Sequence, residues 1–328
     1  MKVLVTGGAG YIGSHTIRAL VRSGRTPVVY DNLSCGHRDA VGDVRFVAGE
    51  LADFDHLKEV MVQQGVESVI QFAAFIQVGE SMSDPQKYYR NNVGGTLTLL
   101  RAMREAGVRP IVFSSSAAVY GNPDTVPIPE TAHLRPTSVY GRTKLIMENV
   151  LSDYAEAYPM SFTALRYFNV AGADPEGDIG EDHDPETHII PLLLKAAMGQ
   201  HASFKLFGTD YPTEDGTCVR DYIHVADLAD AHLLALDRLE RTGESRIYNL
   251  GNGSGFSNRQ VIDAVQRVTG RRIDVREEGR RPGDPASLVA GSERATQELG
   301  WRPRYTELEE IIRTAWRWHT AHPTGFNR

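Results

Sequence analysis

Residues 2–15 read KVLVTGGAGYIGSH. The first five are mostly apolar and β-branched, a short strand by pattern. Gly7, Gly10 and Gly13 follow at G-x-x-G-x-x-G spacing and open an amphipathic stretch at 12–23. Between a strand and a helix, such glycines have separate tasks. Gly7 permits the tight turn, Gly10 lets the backbone approach a pyrophosphate, and Gly13 lets the helix pack closely on the strand. The helix N-terminus then offers unpaired N–H groups and its positive dipole end to phosphate. Eighteen residues past Gly13, PVVYDN puts Asp31 just beyond the next apolar run. A carboxylate there accepts hydrogen bonds from the ribose hydroxyls of NAD and repels the extra phosphate of NADP. Strand, glycine loop, helix, strand and acid in that order predict a bound dinucleotide. Out of that order the same residues are a surface turn.

The rhythm set by this unit continues. KVLVT (2–6), PVVY (27–30), VRFVA (44–48), SVIQFA (68–73), PIVFSS (110–115) and FTALRYF (162–168) read as strands. Amphipathic stretches at 12–23, 54–64, 87–106 and 139–157 separate several of them. Alternation of this kind predicts an α/β fold with a Rossmann-type, doubly wound parallel sheet. The near-continuous Val/Ile/Leu strands fit burial on both faces. After about residue 170 the pattern changes. GADPEGDIGEDHDPETH (172–188) is a long polar loop, the kind that in compact proteins is functional or disordered. Helices at 190–199, 225–238, 257–268 and 306–318 then mix with strands at 203–207 and 246–250. We expect a dinucleotide-binding domain over 1–172 and a smaller α/β substrate-binding lobe over 173–328, part of which packs back on the first.

The chain has 328 residues and a net charge of −7, with no basic stripe. Nucleic acid and anionic membrane are therefore poor partners. The two cysteines, Cys35 and Cys218, form no framework or CxxC pair. A reducing, cytoplasmic setting is expected. No secretory leader is expected from MKVLVTGGAG, and no apolar run of about 18 residues occurs in the sequence. His183 and His188 lie in the acidic loop without HxxxH or Cys/His spacing, so no metal is expected. His224 and His232 fall in a helical stretch and read as structural.

SVYGRTK (138–144) places Tyr140 and Lys144 on one helical face, one turn apart. Tyrosine is a poor base at neutral pH. An ammonium beside it, or a cationic nicotinamide, stabilises the phenolate and lowers its pKa. Tyr140 could then exchange protons with a substrate hydroxyl. The strand PIVFSS runs into Ser114, Ser115 and Ser116. Ligands of open α/β sheets bind beyond the carboxyl ends of strands. Ser116, one step past the strand, is the expected partner of the substrate hydroxyl.

With these residues in view, GGAGYIGSH, YDNLS, SSSAAVYG, YGRTK and RYFNVAGA resemble the extended short-chain dehydrogenase/reductase family. Within it, the chain is most similar to the UDP-glucose (UDP-galactose) 4-epimerases. The similarity continues through FAAFIQVGES (72–81), NNVGGT (91–96), FGTDYPTEDGTCVRDYIHVADLADAH (207–232), YNLGNG (248–253) and RPGD (281–284). The resemblance implies an NAD-dependent interconversion of UDP-galactose and UDP-glucose through a 4-keto sugar, with NAD retained. It implies Ser116, Tyr140 and Lys144 as the catalytic set. As cofactor contacts it implies Gly7, Gly10, Tyr11, Ile12, Gly13, Asp31, Asn32, Ser34, Glu50, Leu51, Phe72, Ala73, Ala74, Asn91, Ser114 and Tyr167, together with Tyr140 and Lys144. Phe168, Asn169, His188, Arg220, Arg281 and Asp284 join Ser116 and Tyr140 as contacts to the UDP-sugar. A guanidinium forks well onto phosphate oxygens, which gives the two arginines an independent physical case.

Three positions depart from the family. Ile76, beside Gln77, stands where some members carry a lysine that reaches the cofactor. Glu50 stands where an Asp often meets adenine. Leu288 falls at the position thought to control room for a 2-N-acetyl group. Ala117 and Ala118 replace the acid pair that a 4,6-dehydratase needs. Epimerases of UDP-N-acetylglucosamine, UDP-glucuronate or UDP-xylose, and a non-catalytic NAD-binding module, are the alternative readings. The family is homodimeric, and helices 87–106 and 139–157 are the expected contact.

Overall fold

The computed structural model describes residues 1–281 and 283–326; Pro282 of the RPGD motif, Asn327 and Arg328 lie outside the described residues. Its strands are β1 (Lys2–Thr6), β2 (Thr26–Asp31), β3 (Arg45–Ala48), β4 (Ser68–Gln71), β5 (Pro110–Ser116), β6 (Ser161–Tyr167), β7 (Asn169–Ala171), β8 (Phe204–Phe207), β9 (Val219–His224), β10 (Arg246–Leu250), β11 (Gly255–Ser257), β12 (Val275–Glu278) and β13 (Ser287–Leu288). Seven of them form one sheet in the order β10-β6-β5-β4-β1-β2-β3, and every pairing in it is parallel.

Helices cover both faces, as continuous apolar strands require. On one face the helices Phe54–Gln64, Gly95–Ala106 and Val139–Ala157 bury Leu57, Leu99, Leu100, Met103, Met147 and Leu151 against β1, β4 and β5. On the other, Tyr11–Arg22, Val225–Thr242 and Glu293–Leu299 bury Ile17, Leu20, Leu228, Leu236 and Leu299. Each such side chain contributes about 1.5–3 kcal/mol on burial. The expected Rossmann-type sheet is thus present. Its seventh strand comes from 246–250, far down the chain.

The remaining strands build the smaller lobe. β9 pairs with β11, β13 and β7, and β8 pairs with β12. The helices Ile189–Ala197, Asn258–Thr269 and Leu308–Ala321 close over a separate apolar core around Leu193, Val265 and Ile311.

Two expectations need correction. The helix expected over 87–106 is interrupted: Pro85–Tyr88 passes through a π-helical turn at Tyr89–Gly94 before Gly95–Ala106. His224 is the last residue of β9, not a helical residue; it caps the next helix, with Nδ1 accepting from Ala226 N–H at 3.1 Å.

Candidate active site

The glycine turn behaves as its spacing predicts. Gly7 has φ +72°, and a Cβ there would lie 2.4 Å from Ala73 N. At Gly13 a Cβ would lie 2.3 Å from Gly7 O, so helix and turn touch through bare backbone. Gly10 differs: its Cβ would meet only Gly7 O, at 3.3 Å, and the rest of that side is open. It precedes the helix Tyr11–Arg22 with no side-chain cap, so the first-turn N–H groups have no capping acceptor. An open, uncapped N-terminus over a side-chain-free turn fits the pyrophosphate of NAD.

At the end of β2, Asp31 is buried. Its Oδ2 accepts from Ala9 N–H at 2.9 Å and its Oδ1 from Leu33 N–H at 2.8 Å. Burial raises its pKa, and those N–H groups oppose the rise. Each oxygen keeps a further lone pair, so the carboxylate can still accept from a ribose. Asn32 Nδ2 reaches both oxygens of Glu50, at 3.0 and 3.1 Å. The two exposed side chains therefore form one unit, and the longer acid at 50 is engaged. Ser34 N–H bonds Asn32 Oδ1 at 2.9 Å, and Leu51 is buried under the turn. Ile76 is exposed, so a lysine's reach has no counterpart there.

The chemistry-bearing side chains converge at the carboxyl ends of β5 and β6. Ser116 ends β5, paired in register with Tyr167 at the end of β6. Its Oγ accepts from Ala118 N–H at 3.2 Å. Tyr140 sits in the first turn of the helix Val139–Ala157. That helix is started by Ser138, whose Oγ accepts from Gly141 N–H at 3.0 Å. The Tyr140 N–H bonds Ser81 Oγ at 3.1 Å. Ser116 beside the Tyr140 hydroxyl pulls the phenol pKa down, but burial outweighs that and the net direction is up. This corrects the expectation that Lys144 lowers it. Lys144 is instead buried with Nζ donating to Ser114 O at 2.6 Å, and its Nζ is 5.8 Å from the Tyr140 ring centre. Burial pulls the lysine itself down to about 7, against the pull of Glu148. Ser114 Oγ bonds the Tyr167 hydroxyl. Phe72 and Ala73 receive their turn from Thr6 O, at 2.8 and 3.0 Å, and Phe72 packs on His232 at 4.7 Å between ring centres. His232 is buried and held down to about 4 by that burial, in keeping with a structural role. Ala74 is half-buried, and Asn91 Nδ2 donates to Asn92 Oδ1 at 3.0 Å.

Behind this set lies a group that the sequence reading missed. Glu148, one turn past Lys144, accepts from Nε and Nη2 along one edge of the Arg166 guanidinium and from the Ser115 hydroxyl. Both side chains are 2 % exposed. Arg166 also donates to Tyr120 at 2.8 Å, whose hydroxyl donates to Asn249 Oδ1 at 2.7 Å. The signal was available: Tyr140, Lys144 and Glu148 repeat at i, i+4 and i+8 on one helical face.

The residues expected to contact the UDP-sugar from the other side lie on or beside β7 and β9 and past β12. Phe168 is buried beside Tyr120 and Ile128, with Leu288 packed on the same cluster, while Asn169 begins β7. Arg220 on β9 approaches Asp284 Oδ1 at 3.7 Å, and the Arg281 guanidinium lies 4.5 Å from the Phe207 ring centre. Nearby, Asp221 is fully buried. It accepts N–H from Asn252 at 2.7 Å and from Gly253 and Ala290, both at 3.0 Å. It fastens the strand that carries Arg220. His188 contacts Glu181 and Glu186 at 2.7 and 3.2 Å. Burial alone would lower its pKa, but the two carboxylates raise it to about 10.

Comparison with known proteins agrees with this geometry. The sequence profile of the NAD dependent epimerase/dehydratase family matches residues 3–251. A UDP-glucose 4-epimerase of Lacticaseibacillus casei is 51% identical over 327 residues, covering 99% of each chain. The structure of UDP-glucose 4-epimerase from Brucella ovis in complex with NAD superposes with a TM-score of 0.93 at 50% identity, covering 95% of this chain and 96% of that one. That of UDP-glucose 4-epimerase from Bifidobacterium longum in complex with NAD+ and UDP superposes with a TM-score of 0.95 at 37% identity, covering 99% and 100%. The chain belongs to the NAD dependent epimerase/dehydratase family.

Proposed function

We propose that the chain is a UDP-glucose 4-epimerase, interconverting UDP-galactose and UDP-glucose by transient oxidation at C4. Half the residues are identical to those of a curated enzyme of that activity over nearly the whole chain. The observation that carries the mechanism is the convergence of Ser116, Tyr140 and Tyr167 at the sheet's carboxyl edge, with Lys144 anchored to Ser114 O one turn away.

NAD, when bound along the glycine turn and Asp31, supplies the acceptor and then the donor of the hydride at the sugar C4. The chain's own residues do the rest. As the phenolate, the form that a cationic nicotinamide ring would favour against the burial that raises its pKa, Tyr140 takes the proton of the sugar 4-hydroxyl and later returns one. Ser116 holds that hydroxyl against the phenol. Lys144 is fixed by Ser114 O and has further protons to offer a ribose hydroxyl. Tyr167 and Phe72 line the dinucleotide side. Arg220, Arg281, Asn169, His188 and Asp284 hold the nucleoside diphosphate while the 4-keto sugar turns over between them. Residues 1–172 would then serve the dinucleotide and 173–328 the UDP-sugar.

No helix among the described residues is long and apolar enough to cross a membrane, and we place the enzyme in the cytoplasm on its cysteine usage. A homodimer through the helices Gly95–Ala106 and Val139–Ala157 is supported by the exposed Leu97 and Ile146 on them. The test is chromatography of UDP-sugars after incubating the purified protein with UDP-galactose and no added nucleotide. Formation of UDP-glucose supports the reading. No conversion even with NAD added rejects it. Conversion of UDP-N-acetylgalactosamine as well would mean that Leu288 leaves room for the acetamide.

A further inference from the structure

The loop that leads to the helix Ile189–Ala197 gathers four side chains: Glu181, His183, Glu186 and His188. One donor atom from each lies within 4.8 Å of the other three. His183 Nδ1 is 3.2 Å from Glu181 Oε1 and 3.8 Å from Glu186 Oε2. His188 Nδ1 is 2.7 Å from Glu181 Oε1 and 3.2 Å from Glu186 Oε1. Glu181 is 4% exposed. Yet Glu181 Oε1, Glu186 Oε2, His183 Nδ1 and His188 Nδ1 are all closed to solvent without one well-formed hydrogen bond.

A buried ion pair holds together only when its N–H groups aim at the oxygens. Here four polar atoms crowd one centre and none aims at another. That is the arrangement of ligands around an ion. Donors about 2.0–2.2 Å from a tetrahedral centre stand about 3.3–3.6 Å apart, and the separations of 2.7, 3.2 and 3.8 Å among Glu181 Oε1, His183 Nδ1, His188 Nδ1 and Glu186 Oε2 bracket that value. The supports are built too. Glu186 Oε1 accepts the N–H groups of Thr187 and His188, at 2.7 and 2.8 Å, which orients the carboxylate. Between the inward-facing Glu181 and His183, Asp182 faces the other way and accepts Phe326 N–H at 3.0 Å. Gly180 is pressed on Trp318, where a Cβ would lie 2.4 Å from the indole. The His183 ring meets Tyr11 of the glycine turn edge-on, with centres 6.3 Å apart.

We propose that Glu181, His183, Glu186 and His188 bind one divalent transition-metal ion of the zinc class, as a structural site that ties the 172–188 loop to the glycine turn. Two imidazoles and two carboxylates suit zinc, whereas calcium and magnesium take oxygen ligands. The charges of two carboxylates balance a dication. A metal on His188 Nδ1 puts the ring proton on Nε2, which leaves one donor for the diphosphate; that last role alone rests on the epimerase reading.

The test is metal uptake, read without any sugar nucleotide. The full-length protein is stripped with a chelator, and Co2+ is added as a spectroscopic probe. The expected result is about one ion per chain with the intense visible bands of four-coordinate cobalt, displaced by Zn2+. His183→Ala and Glu181→Gln should each weaken uptake by about 100-fold or more. Should either variant fail to fold, the wild-type chain decides: Zn2+ at a hundredfold excess over its Kd should raise Tm by roughly 4 °C. No uptake above background, six-coordinate cobalt bands, or unchanged uptake in folded variants overturns the proposal.

Discussion

The two ends of the proposed UDP-sugar site are built differently. At the sugar end, Tyr140 and Lys144 are buried on one helix, with the Tyr140 N–H on Ser81 Oγ and the Lys144 Nζ on Ser114 O, and Ser116 is a sheet residue in register with Tyr167. At the diphosphate end, Arg281 is exposed, and Arg220 donates to the neighbouring Val219 O at 2.9 Å besides a long contact to Asp284 at 3.7 Å. The first end must hold reacting atoms in place, and a 1 Å error there is costly. The second supplies charge, which acts over longer distances and tolerates movement. Rigidity is concentrated where bonds change.

The sharpest way to break this comparison is Tyr140→Phe, which removes one hydroxyl and no packing. We expect kcat to fall about 10³-fold with KM little changed, measured by steady-state kinetics on UDP-galactose. An equal effect on KM would make Tyr140 a binding residue. Glu148→Gln strikes the support instead. It leaves the Arg166 charge buried and unpaired, and should cost about 3–5 kcal/mol in urea unfolding. A loss near zero would mean that water reaches the pair. Arg220→Ala strikes the diphosphate end. It should raise KM about 10–100-fold with kcat nearly intact, since a charged hydrogen bond is worth about 1.5–3 kcal/mol.

The smallest effect concerns Lys144 and has a sign that depends on pH. Its folded pKa, about 7, lies below its ordinary 10.5. The folded chain therefore sheds this proton before the unfolded chain does, and stability rises with pH between those values. Below about 7 both states are charged and the burial penalty stands in full. Lys144→Met should thus be inactive yet more stable than wild type at pH 6, by about 1–2 kcal/mol after losing the bond to Ser114 O. The gain should shrink by pH 9. Denaturant unfolding at the two pH values reads both, and a gain that grows with pH would refute the assignment.

Much of the frame was legible because it is local. The glycine turn, Asp31 and the six strands from β1 to β6 follow from periodicity and from conformations that only glycine adopts without strain. The missed parts are those in which tertiary contacts override pattern. VRDYIH hides a strand because Asp221 is a buried acceptor for three backbone N–H groups. SL, at 287–288, is too short to carry a period. Arg166 carries no signal inside the strand FTALRYF until Glu148, 18 positions away, is known to meet it. The Glu181, His183, Glu186 and His188 cluster has no regular spacing because an irregular loop, not a helix, turns the four side chains inward. The proposed site residues that fell on the sheet edge were therefore easier to find than their supports.

The central claim is that C4 is oxidised and reduced within one enzyme-bound cycle. UDP-galactose carrying deuterium at C4 tests it most directly, with the UDP-glucose product analysed by mass spectrometry and NMR. Retention of the label at C4, with none lost to solvent, is the result we predict. Replacement of the label by solvent hydrogen would mean that C4 is inverted by proton exchange, and the account built on Ser116, Tyr140 and Lys144 would be wrong.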